Sequence, residues 1–267
     1  MKTAGIVGVG LIGGSFALAL RKAGFSGRII GVSSPAAARA AMERGVIDEA
    51  MPLEQAAAAA DFIYLAQPIA RIIETLGAID AHVRPGTLIT DAGSTKLVIV
   101  EAAARHIRRG RFIGGHPMAG KESRGVEEAD ADLFRGRPYV LTSRDTKLES
   151  WIERIGARLV FLNPAEHDRL VSLTSHVPQL ISTAFASMIA GESEAPKVAG
   201  PSAIELTRLA LSPYEIWRDI FSTNADCVDA ALSGFIAKLE DLRATLRDPS
   251  MEREFERAAA AARDLRK

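Results

Sequence analysis

The sequence predicts an α/β N-terminal domain, built on a mostly parallel sheet with helices on both faces, followed by an all-α C-terminal domain. Strand-like apolar runs alternate with helical segments up to Pro164, and beyond it the strand signal stops. The first strand also leads through a glycine-rich turn into a helix. Since each crossover helix buries its apolar stripe against the sheet, alternation of this kind favours parallel strands. We therefore expect one domain over residues 1–164 and another over residues 165–267.

The elements follow in order from local pattern. A short apolar run rich in β-branched residues indicates a buried parallel strand, and apolar residues at a spacing of three and four indicate a helix. Strands are predicted at residues 3–9, 28–32, 61–66, 86–90, 111–113, 138–142 and 157–162, and helices at residues 11–23, 36–44, 69–78, 97–108 and 148–155. The later helical segments cover residues 165–190, 202–210, 214–246 and 250–266. Pro178 should kink the first of these, and Asp248-Pro249 is typical of a helix start.

Composition excludes several classes of protein. Lys+Arg and Asp+Glu both number 33, so the chain lacks the basic excess typical of nucleic-acid binding. Cys227 is the only cysteine, which excludes an internal disulfide framework, and no histidine has metal-ligand spacing, so we predict no metal. No apolar stretch approaches the ~20 residues of a membrane span. The charged start and apolar run to Leu20 resemble a signal peptide, but the glycines within the run favour a nucleotide-binding turn, and we expect a soluble cytoplasmic protein.

The stretch from Gly8 to Gly13 fits the dinucleotide-binding fingerprint of a Rossmann-like domain, between a predicted strand and a predicted helix. Gly8 allows the tight turn, Gly10 lets the backbone approach a diphosphate, and Gly13 allows close packing of helix on sheet. The diphosphate would lie at the helix N-terminus. The predicted cofactor-binding residues here are Gly8, Gly10, Leu11, Ile12 and Gly13.

The end of the second strand bears on the choice of cofactor. Enzymes that prefer NAD usually place an acid there to bind the ribose 2′-hydroxyl, whereas this chain has Ser33, Ser34 and, further on, Arg39. These side chains would suit the 2′-phosphate of NADP, which a carboxylate would repel. The two serines are also good caps for the following helix, and both interpretations can hold. We expect NADP or NAD, with NADP slightly favoured.

Asp91-Ala92-Gly93-Ser94-Thr95-Lys96 follows another strand, at the edge of the sheet where ligands of open α/β folds bind. In a functional interpretation Ser94 offers a hydroxyl to the substrate and Lys96 a charge near a carboxylate. In a structural one, Ser94 or Thr95 caps the next helix and Asp91 orders the turn. Position alone does not choose between the two.

His116 lies in Gly114–Gly120, a glycine-lined loop expected after the next strand, and a histidine there can accept a proton near neutral pH. His176 lies beside Pro178 in a helical pattern. Arg208 precedes Ser212-Pro213, and an arginine can grip a planar carboxylate with two parallel hydrogen bonds. The remaining histidines, His82, His106 and His167, are expected to be surface or capping residues.

Taken together, these stretches resemble the prephenate and arogenate dehydrogenases of tyrosine biosynthesis, the TyrA family. The resemblance runs from Gly8 to about Ile220, and its most specific run is Gly-Gly-His-Pro-Met-Ala-Gly-Lys-Glu from Gly114, joined by Thr-Arg-Leu-Ala-Leu-Ser-Pro and Trp217. It implies a Rossmann-like domain, a helical domain that builds an intertwined homodimer, and an active site between the two. Without a mutase segment before Gly5 or a further domain after Lys267, feedback by tyrosine through a separate domain is not expected.

The resemblance further implies an oxidative decarboxylation in which hydride passes from the hydroxyl-bearing ring carbon to NAD or NADP while carbon dioxide leaves. His116 would draw the proton from the ring hydroxyl, and Ser94 would bond the same oxygen. Arg208 would bind the ring carboxylate and His176 the side chain of the substrate, with Lys96 a weaker candidate. Gln179, which is neutral, tilts the expected substrate towards prephenate over arogenate, whose ammonium would favour a carboxylate. The alternatives are an arogenate or dual-substrate dehydrogenase and, more distantly, a β-hydroxyacid dehydrogenase.

Overall fold

The computed structural model describes residues 1–121 and 123–266, and within them the strands form two sheets. The first sheet is wholly parallel, in the order β3-β2-β1-β4-β5-β6, and the second has the order β7-β8-β9. The strands are β1 (Thr3–Val7), β2 (Arg28–Val32), β3 (Glu49–Ala50), β4 (Phe62–Leu65), β5 (Leu88–Asp91), β6 (Arg111–Ile113), β7 (Gly115–Pro117), β8 (Pro138–Leu141) and β9 (Arg158–Phe161). The expected parallel sheet is confirmed, with the two-residue strand β3 added at its edge.

Helices cover both faces of the parallel sheet, as expected. Those of the N-terminal part are α1 (Leu11–Lys22), α2 (Pro35–Glu43), α3 (Leu53–Ala59), α4 (Ile69–Ile79), α5 (Leu97–His106) and α6 (Thr146–Arg154). Tyr64 of β4 packs on one face, where its ring stacks on Phe16 of α1 at 3.9 Å. Its neighbour Ile63 packs on the other face with Ile72 of α4 and Ile99 of α5. Because successive side chains of a strand point to opposite faces, one apolar strand serves two cores.

The second sheet was not foreseen as a separate unit. β7 pairs antiparallel with β8, and β8 pairs parallel with β9, so the predicted strands at 138–142 and 157–162 do not extend the first sheet. The reversal occurs at Gly114, directly after β6, and starts a strand that contains His116. This places His116 on extended, hydrogen-bonded backbone, whereas the sequence suggested a loop.

The rest of the chain is helical, as predicted. Its elements are α7 (Pro164–Val171), a π-helical turn (Ser172–His176), α8 (Val177–Ala190), α9 (Ala195–Val198), α10 (Pro201–Thr207), a 3₁₀ turn (Arg208–Leu211), α11 (Tyr214–Thr223), α12 (Ala225–Ala244) and α13 (Ser250–Asp264). The kink expected at Pro178 takes the form of the π turn that precedes it. Pro178 has no N–H to bond the carbonyl four residues earlier, and the N–H of Val177 bonds the carbonyl of Ser172, five residues back.

The helical part packs against the carboxyl edge of the parallel sheet. Asp219 of α11 accepts a hydrogen bond from the backbone N–H of Ala70, near the start of α4, at 3.1 Å. The hydroxyls of Thr95 and Thr223 are 2.9 Å apart. The last strand ends at Phe161 and α7 begins at Pro164. Across the described part of the chain, no helix has the length and apolar character to cross a membrane.

Candidate active site

Of the three glycines Gly8, Gly10 and Gly13 in the turn between β1 and α1, only Gly10 has open space where a side chain would lie. Gly8 has φ +92°, and a Cβ there would lie 2.6 Å from the carbonyl oxygen of Ala66. A Cβ at Gly13 would lie 2.1 Å from the carbonyl oxygen of Gly8, whereas a Cβ at Gly10 would meet no atom within 4 Å. Gly10 is also the N-cap of α1 and has no side chain to bond the free N–H groups. The turn therefore fits a diphosphate at the start of α1, beside Leu11 and Ile12.

The structure at the end of β2 is compatible with both interpretations of Ser33 and Ser34, as caps of α2 and as ligands of a cofactor phosphate. The hydroxyl of Ser34 accepts a hydrogen bond from the N–H of Ala37 at 3.4 Å, so Ser34 caps α2. Ser33, Ser34 and Arg39 are all exposed. No carboxylate follows β2 directly in this stretch, which leaves the position open to a phosphate.

Asp91, at the end of β5, joins the second candidate loop to the strand of His116. One carboxylate oxygen accepts the N–H of Gly115 at 3.0 Å, and the other accepts the N–H of Gly93 at 2.8 Å and binds the ammonium of Lys96. The expectation that Asp91 orders the turn is confirmed. Half-buried Ser94 lies in this turn, so the fold holds its segment and the His116 strand together.

The N-terminus of α5 is capped by a residue from the helical part of the chain. Both carboxylate oxygens of Asp168 accept backbone N–H groups there, from Lys96 at 2.7 Å and from Leu97 at 2.9 Å. Lys96 occupies the N-cap position with no side-chain cap, and Thr95 bonds Thr223. The expected cap by Ser94 or Thr95 is therefore wrong, because the carboxylate of Asp168 takes that place.

Lys96 also differs from its expected role. Its side chain is 0% exposed, and its ammonium is paired with Asp91. Burial lowers the pKa of Lys96, while the charge of Asp91 opposes that change. A buried ammonium that is already paired is not directed at a substrate carboxylate, so the expected role of Lys96 is corrected to a structural ion pair with Asp91.

His116 is buried and hydrogen-bonded to a second histidine. Its Nδ1 lies 2.8 Å from Nε2 of His167, and Nδ1 of His167 lies 2.7 Å from Oδ1 of Asp168. Burial lowers the pKa of His116 well below its ordinary value, and the ammonium of Lys96 acts in the same direction, as His167 and His176 would if they were protonated. His116 is therefore neutral near pH 7, as a proton acceptor must be.

His176 is held at the π turn by a residue at the junction of α11 and α12. The side-chain amide of Asn224 donates to the carbonyl of Asp168 at 2.9 Å, and the same nitrogen lies 3.3 Å from Nδ1 of His176. Because that nitrogen is a donor, Nδ1 of His176 accepts and its Nε2 carries the hydrogen. Burial lowers the pKa of His176 to about 4, so it is a neutral hydrogen-bond donor.

The segment of Arg208 packs against α8, which follows His176. Gln179 is 4% exposed, and its amide nitrogen donates to the carbonyl of Leu209 at 2.9 Å. The Oε1 atom of Gln179 is buried without a hydrogen-bond partner within the described residues. Exposed Arg208 begins the adjacent 3₁₀ turn. Trp217 of α11 meets the His176 ring edge to face at 6.1 Å, consistent with a pocket wall or domain packing.

Sequence reasoning missed three side chains of this site: His167, Asp168 and Asn224. His167 was expected to be a surface or capping residue, but it is 0% exposed and bonded to His116. The same expectation is confirmed for His82 and His106, which are exposed. No local motif marks the missed residues, because their partners are distant in the sequence. Glu122, the last residue of the His116 motif, lies outside the described residues.

The glycine turn and the neutral histidine meet the sheet at its carboxyl edge, where a helical domain covers it. Among described residues, no group of three or more His, Cys, Asp or Glu side chains could hold a metal ion. This combination is typical of a dinucleotide-dependent oxidoreductase.

Comparison with known proteins identifies the family. Residues 16–162 match the prephenate dehydrogenase nucleotide-binding domain, and residues 163–259 match the prephenate dehydrogenase dimerization domain. A prephenate dehydrogenase of Lactococcus lactis is 35% identical over an alignment of 257 residues that covers 93% of this chain and 73% of that protein. The chain belongs to the prephenate dehydrogenase family.

Solved structures agree with this assignment. The crystal structure of prephenate dehydrogenase from A. aeolicus in complex with hydroxyphenyl propionate and NAD+ superimposes with a TM-score of 0.90 at 30% identity, covering 100% of this chain and 99% of that one. The crystal structure of Synechocystis arogenate dehydrogenase gives a TM-score of 0.84 at 30% identity, covering 98% and 99%. Relatives named for either substrate therefore share this fold.

Proposed function

We propose that this chain catalyses the oxidative decarboxylation of prephenate to 4-hydroxyphenylpyruvate with NAD or NADP, in tyrosine biosynthesis. The observation that carries the proposal is His116, a buried neutral histidine tied through Gly115 and Asp91 to the sheet edge that carries the glycine turn. Membership of the prephenate dehydrogenase family disfavours the β-hydroxyacid alternative.

The reaction needs a proton acceptor at the ring hydroxyl and a hydride acceptor at the carbon that bears it. The nicotinamide, when bound, accepts the hydride. His116 draws the hydroxyl proton towards its free ring nitrogen as the carbonyl-like transition state forms, and Ser94 bonds the same oxygen. Loss of carbon dioxide supplies the electron pair that makes the ring aromatic, and the oxygen regains its proton as a phenol. These roles demand a neutral imidazole, which burial of His116 provides.

Charged and polar groups from the helical part would hold the substrate. Arg208 binds the ring carboxylate through two parallel hydrogen bonds until that group leaves. His176 offers its Nε2–H to the side chain of the substrate, because Asn224 occupies its other nitrogen. Trp217 walls the pocket beside His176.

For the cofactor, we propose that Gly8, Gly10 and Gly13 receive the diphosphate, with Leu11 and Ile12 at the start of α1. Exposed Ser33, Ser34 and Arg39 would receive a 2′-phosphate, so NADP is slightly favoured over NAD. Capping of α2 by Ser34 leaves its hydroxyl free to donate.

Arogenate is the second candidate substrate, and one observation favours it. The buried Oε1 of Gln179, which accepts no hydrogen bond within the described residues, is an acceptor one turn after His176. The ammonium of arogenate can donate to such an atom, whereas the keto group of prephenate cannot. This offsets the preference for prephenate that the neutral charge of Gln179 suggested.

Steady-state kinetics of prephenate and arogenate, each with NAD and NADP, test the proposal. Reduction of the cofactor, followed by its absorbance, should require one of the two substrates. Replacement of His116 by Asn should lower kcat by about 100-fold or more, because it removes the proton acceptor. Cofactor affinity, measured by fluorescence titration, should stay unchanged in that variant. Absence of turnover with both substrates, or full turnover by the Asn variant, would contradict the proposal.

A further inference from the structure

Asp168, His167 and His116 form a buried chain of hydrogen bonds that leads from the helical part of the molecule into the site. The two links are 2.7 Å, from Oδ1 of Asp168 to Nδ1 of His167, and 2.8 Å, from Nε2 of His167 to Nδ1 of His116. The two imidazole rings meet edge to face, with centroids 5.1 Å apart. All three side chains are buried, so these ring nitrogens bond one another and not bulk water.

The direction of each hydrogen bond follows from Asp168. Its carboxylate accepts the N–H groups of Lys96 and Leu97 at the N-terminus of α5, a position that favours a negative charge. An ionised carboxylate is an acceptor only, so Nδ1 of His167 must carry the hydrogen that it shares with Asp168.

The direction of the hydrogen bond between His167 and His116 follows from that of the bond between Asp168 and His167. Burial lowers the pKa of His167, which favours its neutral form, and a neutral imidazole with hydrogen on Nδ1 has a lone pair on Nε2. That lone pair accepts from Nδ1–H of His116. Consequently Nε2 of His116 carries no hydrogen and is the free acceptor of the pair.

We propose that His167 and Asp168 are positioning residues that hold His116 in the Nδ1–H tautomer, with Nε2 as the proton acceptor. Asp168 also joins this chain to α5, because the same carboxylate caps the helix that follows the Ser94 turn. The pair thus fixes the orientation of the base and the segment of Ser94 together. The effect on rate rests on the proposed function, whereas the tautomer does not.

The tautomer can be measured without substrate or turnover. Long-range ¹H–¹⁵N spectra of the full chain with ¹⁵N-labelled histidine distinguish the two ring nitrogens at about pH 7 to 8. Single His→Gln variants of exposed His82 and His106 assign the surface signals. We expect both His116 and His167 to be protonated at Nδ1. An Nε2–H signal for His116 would overturn the proposal, even if the enzyme turns over prephenate.

A pair of substitutions tests the consequence for catalysis. In His167→Gln the side-chain oxygen stands near the position of Nε2 and can still accept from His116, whereas His167→Phe keeps a ring but offers no acceptor. We expect kcat to fall by about 100-fold in the Phe variant and by less than about tenfold in the Gln variant, with KM nearly unchanged in both. Equal losses of kcat in the two variants, at equal thermal stability, would overturn the proposal. If the Phe variant does not fold, the tautomer measurement decides alone.

Discussion

Burial sets the protonation state of the histidines in this site. His116, His167 and His176 lie within the protein, and desolvation lowers the pKa of each. For His116 the positive charge of Lys96 adds to that effect. A dianionic substrate would act in the opposite direction and raise its pKa, bringing the base nearer to the pH at which it works. A higher pKa would make His116 a better proton acceptor in the substrate complex.

The proposed role of Arg208 is tested more directly by substrate affinity than by the rate of turnover. Because its proposed role is to bind a carboxylate, Arg208→Ala should raise KM for the dienyl substrate by about tenfold or more, and KM for the cofactor should not change. Arg105→Ala, at an exposed arginine in the last turn of α5, is the matched control. An unaltered KM for the substrate in Arg208→Ala would remove Arg208 from the pocket.

At the scale of elements, several of the residues that we propose for the site lie at or next to the starts of helices. The start of α1 has no side-chain cap, which leaves its N–H groups for a diphosphate. The start of α5 is capped from the other domain by Asp168, and the π turn before α8 positions His176. π-helical turns recur at functional sites because the altered bonding re-aims a side chain. At each of these three places the usual local hydrogen bonds of a helix are absent or altered, and the altered backbone lies next to a proposed site residue.

Gly10 and Gly13 give a matched pair of substitutions in one turn. Gly13→Ala should destabilise the protein, because its Cβ would lie 2.1 Å from the carbonyl oxygen of Gly8. Gly10→Ala should fold with nearly normal thermal stability, because its Cβ meets no atom within 4 Å, but should weaken cofactor binding by about tenfold or more. Thermal melting and fluorescence titration measure the two effects. Normal cofactor affinity in Gly10→Ala would place the diphosphate elsewhere.

For the whole molecule, the buried histidines predict sensitivity to acid. Their folded pKa values are below the unfolded value of about 6.5, so the unfolded chain binds more protons once the pH falls below that value. The contribution of these histidines to the free energy of unfolding should be fully present above about pH 6.5. It should decrease as the pH falls below that value, and for His176 the decrease should continue to about pH 4.

Urea unfolding at several pH values and constant protein concentration measures this dependence. Carboxylates also contribute in acid, so the comparison is between the native chain and His176→Gln, in which the slope between about pH 6.5 and 4 should be smaller. His106→Gln, at an exposed histidine, should leave the slope unchanged. An equal slope in His176→Gln would contradict the prediction.

We also propose that the helical part forms a homodimer. Most of the exposed large apolar side chains lie on its helices and turns, and a monomer rarely exposes so much apolar surface. They are Leu173, Met188, Val198, Ile204, Leu206, Leu211, Tyr214, Ile216, Ile236, Leu239, Leu246, Phe255 and Leu265. A second copy of the chain would cover these side chains, since this part matches a dimerization domain.

Light scattering coupled to size exclusion tests the dimer. Glutamate at both Ile236 and Leu239 of α12 should shift the native dimer towards monomer, because it places charge on an apolar contact. Met42→Glu, at an exposed apolar residue of α2, should leave the mass unchanged. A monomeric native chain at micromolar concentration would contradict the proposal.

The features that depend on local pattern could be predicted from the amino-acid sequence. Strand-helix alternation predicted the parallel sheet, and the spacing from Gly8 to Gly13 predicted the turn at the end of β1, because neighbours in sequence fix a turn. The glycine-lined stretch from Gly114 to Gly120 singled out His116 as a candidate proton acceptor.

The pairing of the polar residues could not be predicted from the sequence and is visible in the folded chain alone. His116 and His167 are 51 residues apart, and Lys96 bonds Asp168 across 72 residues, so no local pattern links them. Lys96 was expected to place a charge near a substrate carboxylate and forms a buried ion pair with Asp91. His167 was expected to be a surface or capping residue and is the partner of His116. Burial and pairing arise when the helical part closes over the sheet edge, and these two properties set the charge of each group.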